Sequence, residues 1–300
     1  MNINWYPGHM KKTKELLQSN LKLVDLVVEL LDSRIPLSSK NPDIDNIITN
    51  KPKIVLFNKS DLADERNISA WQKYYDELGI KTLRINSLNG FNTNKIQDVA
   101  REAMKEKLES LKNKGRKERP IRMMIIGIPN VGKSSLINKL SGKKSAKVGD
   151  RPGVTKSKQW VKLKGNLELL DTPGILWPKF EDQEVALKLA FTGAIKDEIL
   201  DVETLALRFL EKTMFEYKEN ILTRYKIDLD KDFETALELM EEIGIKRGCK
   251  IRGNDFDYTR IANIILNEFR GGLLGKISLE WPSDIKEDEE TDEEVDKKEN

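Results

Sequence analysis

Residues 127–134, Gly-Ile-Pro-Asn-Val-Gly-Lys-Ser, constrain this chain more than any other feature, because they fit the spacing GxxxxGK[ST]. The apolar run MMII precedes them and SSLINKL follows, so the motif lies between a strand and the start of a helix, the context it needs. Its glycines let successive backbone N–H groups wrap a phosphate, and the helix N-terminus adds the positive end of its dipole. Lys133 reaches the outer phosphates and Ser134 is placed to ligate Mg²⁺. A chance glycine-rich turn is the competing reading, and the strand-loop-helix context disfavours it.

The surrounding pattern agrees. Strand-like apolar runs at 23–31, 53–57, 82–86, 122–126, 160–164 and 167–170 alternate with helical patterns at about 9–20, 65–78, 93–112 and 133–140. Such alternation predicts an α/β sheet with helices on both faces. Residues 112–122 are polar and basic, with Gly115 and Pro120, and read as an exposed linker. Beyond Pro178 the pattern is helical alone, at about 181–196, 202–217, 231–243 and 256–269. The expected architecture is an α/β nucleotide-binding domain over 1–178 and a smaller all-helical domain over 179–282.

Residues 283–300 hold ten acids against three lysines, a net charge of −7. They carry almost no apolar residues and are expected to be disordered. The rest of the chain is then basic, at about +9 of a total of +2, which suits a polyanionic partner without proving one. There is one cysteine, Cys249, and one histidine, His9, too few for an internal disulfide or a four-ligand zinc site. No apolar run approaches the roughly 20 residues that cross a bilayer, and the first residues lack a signal-peptide core. A soluble cytoplasmic protein without a membrane partner is expected.

Three further boxes accompany the first. Asp171-Thr-Pro-Gly174 ends a strand-like run; Asp171 can hold Mg²⁺ through water, and the Gly174 amide can sense a γ-phosphate. Asn58-Lys-Ser-Asp61 closes the run IVLF. The Asp61 carboxylate can accept from guanine N1–H and its amino group, a donor pair adenine lacks. Asn58 can hold the purine's acceptor edge and the Lys59 stem can lie over the ring. Asn86-Ser87-Leu88 follows the next strand and is the second candidate guanine contact, a plain turn being the alternative. Thr155, between the first box and Asp171, is placed to complete the Mg²⁺ sphere when a γ-phosphate is present; an ordinary loop threonine is the alternative. With Asn130, Val131, Gly132 and Ser135 of the phosphate loop, these residues form a GTP/GDP site.

These boxes resemble those of TRAFAC-class GTPases in a changed order, with the guanine boxes upstream of the phosphate loop, as in the circularly permuted GTPases. Within that group the chain is similar to the RbgA/YlqF-type ribosome-biogenesis GTPases. It shares Trp5-Tyr-Pro-Gly-His-Met10, Leu31-Asp-Ser-Arg-Ile-Pro36 and the loop through Ser135, and the likeness runs from about Ile3 to Trp281. The resemblance implies a GTP-hydrolysing factor in maturation of the large ribosomal subunit, stimulated by the particle, with an rRNA-binding helical domain. A monomer is expected.

Ile175 stands where many regulatory GTPases have a water-orienting glutamine, and an isoleucine can neither hold a water nor accept a proton. The resemblance carries the catalytic role onto His9; a structural or RNA contact remains the alternative. Lys133 and Thr155 complete the catalytic set. P-loops of similar GTPases with asparagine at the position of Asn130 often bind K⁺, against a purely loop-shaping bond here. Basic residues cluster in the linker (Lys112, Lys114, Arg116, Lys117, Arg119, Arg122) and late in the helical region (Lys246, Arg247, Lys250, Arg252, Arg260, Arg270, Lys276). Phe256, Tyr258 and Phe269 are interleaved with the second cluster. Phosphate contacts and base stacking are one reading, a solvated helix face over core aromatics the other. A membrane-associated or signalling GTPase and a non-hydrolysing GTP-binding scaffold are the competing functions.

Overall fold

Six strands pair in the order β3-β2-β1-β4-β6-β5. They are β1 Leu26–Asp32, β2 Lys53–Asn58, β3 Lys81–Arg84, β4 Ile121–Ile126, β5 Trp160–Leu163 and β6 Leu167–Leu170. The computed structural model describes residues 10–40, 48, 51–117, 119–142, 160–163, 165–170, 182–253 and 255–285. All neighbouring strands are parallel except β5, which runs antiparallel to β6 at the edge.

The central strands β1, β2 and β4 are largely apolar on both faces, as a parallel sheet covered on both sides requires. Alternate residues sort to opposite sides. Leu26, Val28 and Leu30 of β1 join Ile54, Leu56, Met123 and Ile125 on one face. There they meet α4 (Ile96–Ala103) and α6 (Lys133–Ser141) through Ile96, Ala100, Leu136 and Ile137. On the other face Val27, Met124 and Ile126 meet α1 (Met10–Leu21), and Val55 and Phe57 meet α3 (Glu65–Glu77) through Ile68, Trp71 and Tyr75. A short turn of helix, α2 (Pro36–Ser39), follows β1.

The chain lays down β1, β2 and β3 outward in one direction and then places β4 on the opposite side of β1. The strand order therefore reverses between β1 and β4, and a doubly wound sheet opens its binding crevice at the carboxyl ends beside such a reversal. The loops carrying Asn58, Asn86 and Gly127 leave the carboxyl ends of β2, β3 and β4, and residues 171–174 follow β6.

The expected helix over 93–112 is broken. A 3-10 turn at Thr93–Lys95 leads into α4, and Met104 separates α4 from α5 (Lys105–Asn113). Met104 is 1 % exposed, so the chain turns inward there, whereas α5 has no buried residue and lies on the surface. The linker is partly pinned, because the Arg119 guanidinium holds the Asp25 carboxylate at 2.7 and 2.8 Å.

The second half contains α7 (Gln183–Phe191), α8 (Val202–Thr213), α9 (Lys218–Tyr225), α10 (Ala236–Lys246) and α11 (Tyr258–Arg270). Helix α9 falls where no helix is expected from the sequence; its eight residues are too few to display a period, yet Ile221, Leu222 and Tyr225 are buried. Helices α8 and α11 meet through Phe209 and Phe269, whose ring centroids are 4.6 Å apart. One contiguous apolar cluster runs from the sheet into these helices. Beyond α11, residues 271–285 return to the first half as a strap: Ile277 N–H bonds to the Leu62 carbonyl at 3.0 Å and Leu279 N–H to the Arg34 carbonyl at 2.8 Å. The helical part thus ends in a segment that belongs physically to the sheet's flank.

Candidate nucleotide-binding site

Gly127 leaves β4 so close to β1 that a Cβ there would stand 2.6 Å from the Leu30 carbonyl oxygen, so only glycine fits. Gly132 has φ 104 and forms the N-cap of α6 without a side-chain cap. The first N–H groups of α6 are therefore left for an anion. Lys133 is buried and its ammonium donates to the Gly127 and Ile128 carbonyls at 2.8 and 2.5 Å. It is folded into the loop it serves. Ser134 and Ser135 stand half-buried in the first turn of α6.

Asn58 joins three boxes. Its Nδ2 donates to the Val131 carbonyl at 2.7 Å and to Ser87 Oγ at 3.0 Å, and its Oδ1 accepts from Ser87 N–H at 2.9 Å. Both amide hydrogens are engaged within the protein, so its part here is to brace the guanine loops against the phosphate loop. A Cβ on Gly132 would collide with that amide. Asn86 Oδ1 accepts from Leu88 and Asn89 N–H at 2.8 and 3.1 Å and shapes its own loop. Asp61 is exposed, as a residue meeting a base edge must be.

Lys59, at φ 56, sends its ammonium to Asp32 at 2.9 Å. Its charge is thus anchored on a buried carboxylate. Asp32 also binds Arg34 in a fork, Nε at 2.9 Å and Nη2 at 2.8 Å, and both side chains are almost wholly buried. Burial alone would raise the Asp32 pKa; Arg34 and Lys59 outweigh it and hold the carboxyl well below the usual range. Burial pushes Lys59 down from its ordinary value, and Asp32 opposes the shift. Arg34 lies 4.9 Å over the Phe269 ring, which ties the guanine side of the site to α11.

Glu280 in the strap makes a second junction. Its carboxylate accepts from Ser38 N–H at 2.9 Å, from the Ser38 hydroxyl and from Lys188 of α7, while its carbonyl accepts from Asn67 and Trp71 of α3. Burial pushes its pKa up, with Lys188 and Ser38 opposing.

His9, Thr155, Asp171, Gly174 and Ile175 lie outside the described residues. Asn130 is described: it has φ 57 and its Nδ2 donates to the Gly193 carbonyl at 2.8 Å. Asp32, Arg34, Gly193 and Glu280 carry no site role in the sequence reading, and Arg270, grouped there with the basic cluster, is instead engaged inside the fold by Asp197 and the end of α7. The one available signal was a charged pair, Asp32 and Arg34, inside an otherwise apolar stretch.

The basic clusters are thinner than their sequence implies. Arg119 and Arg122 are engaged by Asp25 and Glu168. Arg247, Arg270 and Lys276 are engaged by Glu268, Asp197 and Glu65. Phe269 is 2 % exposed, so it is a core residue and not a stacking platform. Lys112, Lys114, Arg116 and Lys117 in the linker, and Lys250, Arg252 and Arg260 on the helical part, remain exposed.

A glycine loop on a helix N-terminus, braced by the asparagine of an upstream NKSD box on a doubly wound sheet, defines a circularly permuted P-loop GTPase. A family model described as "50S ribosome-binding GTPase" matches residues 122–234, a span that takes in the phosphate loop and leaves the upstream guanine boxes outside. The chain is 50% identical over 288 residues to "Ribosome biogenesis GTPase A" of Bacillus licheniformis, covering 95% of this chain and 100% of that one. It is 32% identical to the protein of the same name in Thermotoga maritima, covering 94% of this chain and 96% of that one. Among solved structures, GDP-bound YlqF aligns with a TM-score of 0.65 at 27% identity, over 90% of this chain and all of that one. GNP-bound YlqF from T. maritima aligns at 0.63 and 27%, over 91% of this chain and all of that one. With half its residues shared across nearly its whole length, this chain belongs to the ribosome biogenesis GTPase A family. It is a GTPase acting in ribosome biogenesis, and neither the signalling nor the scaffold reading is favoured.

Proposed function

We propose that this chain is a cytoplasmic, monomeric assembly factor that binds ribosomal RNA and acts in maturation of the large subunit, with GTP hydrolysis stimulated by the particle. The carrying observation is the bracing of the phosphate loop by Asn58, whose amide ties Val131 to Ser87 and so makes one site of boxes far apart in sequence. Family membership supplies the ribosomal setting. No helix of the described residues is long and apolar enough to cross a membrane.

Within this reading Lys59, Asp61, Asn86 and Ser87 serve the guanine, and Asn130 to Ser135 serve the phosphates. Asn58 braces the guanine loops rather than donating to the purine, because both its amide hydrogens are taken. Mg²⁺ commonly takes few protein ligands beside substrate phosphates and water. Ser134, with Thr155 and Asp171, would hold Mg²⁺, whose charge offsets that on the β- and γ-phosphates. Asn130 has its amide nitrogen on Gly193, leaving its oxygen as the atom able to serve K⁺. His9 positions the attacking water in place of the missing glutamine. Residues 1–178 form the GTPase domain and 179–282 carry the RNA-binding surface through Lys250, Arg252 and Arg260. The acidic segment expected to be disordered from 283 starts later than that, because Pro282–Asp284 form a 3-10 turn that belongs to the strap.

The test is GTP turnover in K⁺ buffer, alone and with purified large ribosomal subunits. Strong stimulation by the subunit, lost in His9→Ala, is expected. Equal turnover with and without the subunit refutes the particle as activator.

A further inference from the structure

Helix α7 ends in a glycine turn. Gly193 N–H bonds to the Ala190 carbonyl at 3.0 Å and Ala194 N–H to the Leu189 carbonyl at 2.9 Å, with Gly193 at φ 75. The carbonyls of Ala190 and Phe191 are also taken up by Arg270 at the end of α11, through Nη2 at 2.8 Å and Nε at 2.9 Å. The same guanidinium grips the Asp197 carboxylate at 2.6 and 2.8 Å. One planar fork thus serves two carbonyls and a carboxylate, which the point charge of a lysine cannot do. Gly193 rests against it: a Cβ there would stand 3.4 Å from Arg270 Nε. The Gly193 carbonyl then meets Asn130 of the phosphate loop at 2.8 Å. Asn130, at φ 57, holds a left-handed conformation that favours glycine and that asparagine tolerates better than most residues.

We propose that Arg270 is a positioning residue for the nucleotide. It fixes the C-terminal turn of α7, the Gly193 carbonyl holds Asn130, and the phosphate loop keeps its binding shape while the helical part is docked. The proposal rests on residues 127–134 being the nucleotide site. It gives the helical part a route to the phosphates. A load that moves α7 or α11 changes nucleotide affinity, and nucleotide changes the affinity for that load by the same factor.

The test is a double-mutant cycle on the full chain: wild type, Asn130→Ala, Arg270→Ala and the double variant, each titrated with fluorescent GDP and melted in parallel. Each single change weakens binding about fivefold, the worth of one neutral hydrogen bond. The double variant binds no worse than Asn130→Ala, because both act through one bond. Arg270→Lys does not restore affinity. A double variant weaker by the product of the two singles, about 25-fold, means that Arg270 acts on the nucleotide independently of Asn130 and overturns the proposal. So does unchanged affinity in Asn130→Ala. A wild type that fails to bind fluorescent GDP brings down the nucleotide-site reading itself, a different failure. If Arg270→Ala does not fold, Asp197→Asn takes its place in the same cycle, since it frees the far edge of the guanidinium.

Discussion

Asp32 is the residue whose loss should cost most. Its carboxylate faces two cations, Arg34 and Lys59, and accepts the Arg34 N–H at 3.1 Å as well. Asp32→Asn keeps the volume and removes the charge, leaving a guanidinium that is 1 % exposed without its counter-ion. Removing one partner of a buried pair costs about 3–5 kcal/mol, because the other charge stays buried and uncompensated. For a domain this large that lowers the melting temperature by on the order of 10 °C. Urea unfolding at pH 7 gives the free energy, and the same measurement across acid pH tests the cause. Asp32 is depressed below its ordinary 3.8 in the folded state. Its contribution is therefore fully present above that value and lost as pH falls through the folded pKa. The gap between wild type and Asp32→Asn should hold near neutrality and begin to narrow below about pH 4. A gap under about 1 kcal/mol at pH 7, or one that does not narrow in acid, refutes the account.

Asn58→Ala strips the Val131 carbonyl and Ser87 N–H of their partners and should weaken GDP binding by about 30- to 100-fold, read by fluorescent-nucleotide titration, with helical content unchanged. Gly132→Ala requires φ 104 of a residue with a Cβ and drives that carbon into Asn58, so nucleotide binding should vanish while circular dichroism stays native. Glu280 has a raised folded pKa, so its charge weakens the fold as pH rises from its ordinary 4.5 through the folded value. Glu280→Gln removes that component, and stability measured from pH 4.5 upward should fall less steeply than in wild type.

The glycine loop and the turn at Asn58 are legible because each depends on local chemistry. A glycine that must approach β1, a lysine that begins a helix and an asparagine that closes a strand announce themselves within a few residues. The central strand positions follow from apolar runs, the edge strands β3 and β5 carry charged residues, and the permuted order is plain from where the boxes fall. The partners of those boxes were hidden. Asn58 meets residues 29 and 73 positions away, and only the strand order brings them together. Phe269 and Arg270 resembled an RNA-facing pair because a basic residue beside an aromatic looks the same in a core clamp as on a surface. Helix α9 carries too few residues for its period to show.

The strap has a consequence for how the protein is made. The Glu280 carboxylate meets Ser38 across 242 positions, and Ile277 pairs with Leu62 beside the guanine box. During synthesis β1, β2 and β3 emerge first, with the side of β1 that will receive β4 still unpaired and the Ser38 N–H without its acceptor. The phosphate loop follows, yet the junction at Glu280 closes only when the strap itself has left the ribosome. A chain stalled short of residue 277 carries every nucleotide box and lacks the clasp that joins α2, α3 and α7. Emergence of the strap is therefore the step that joins these three helices.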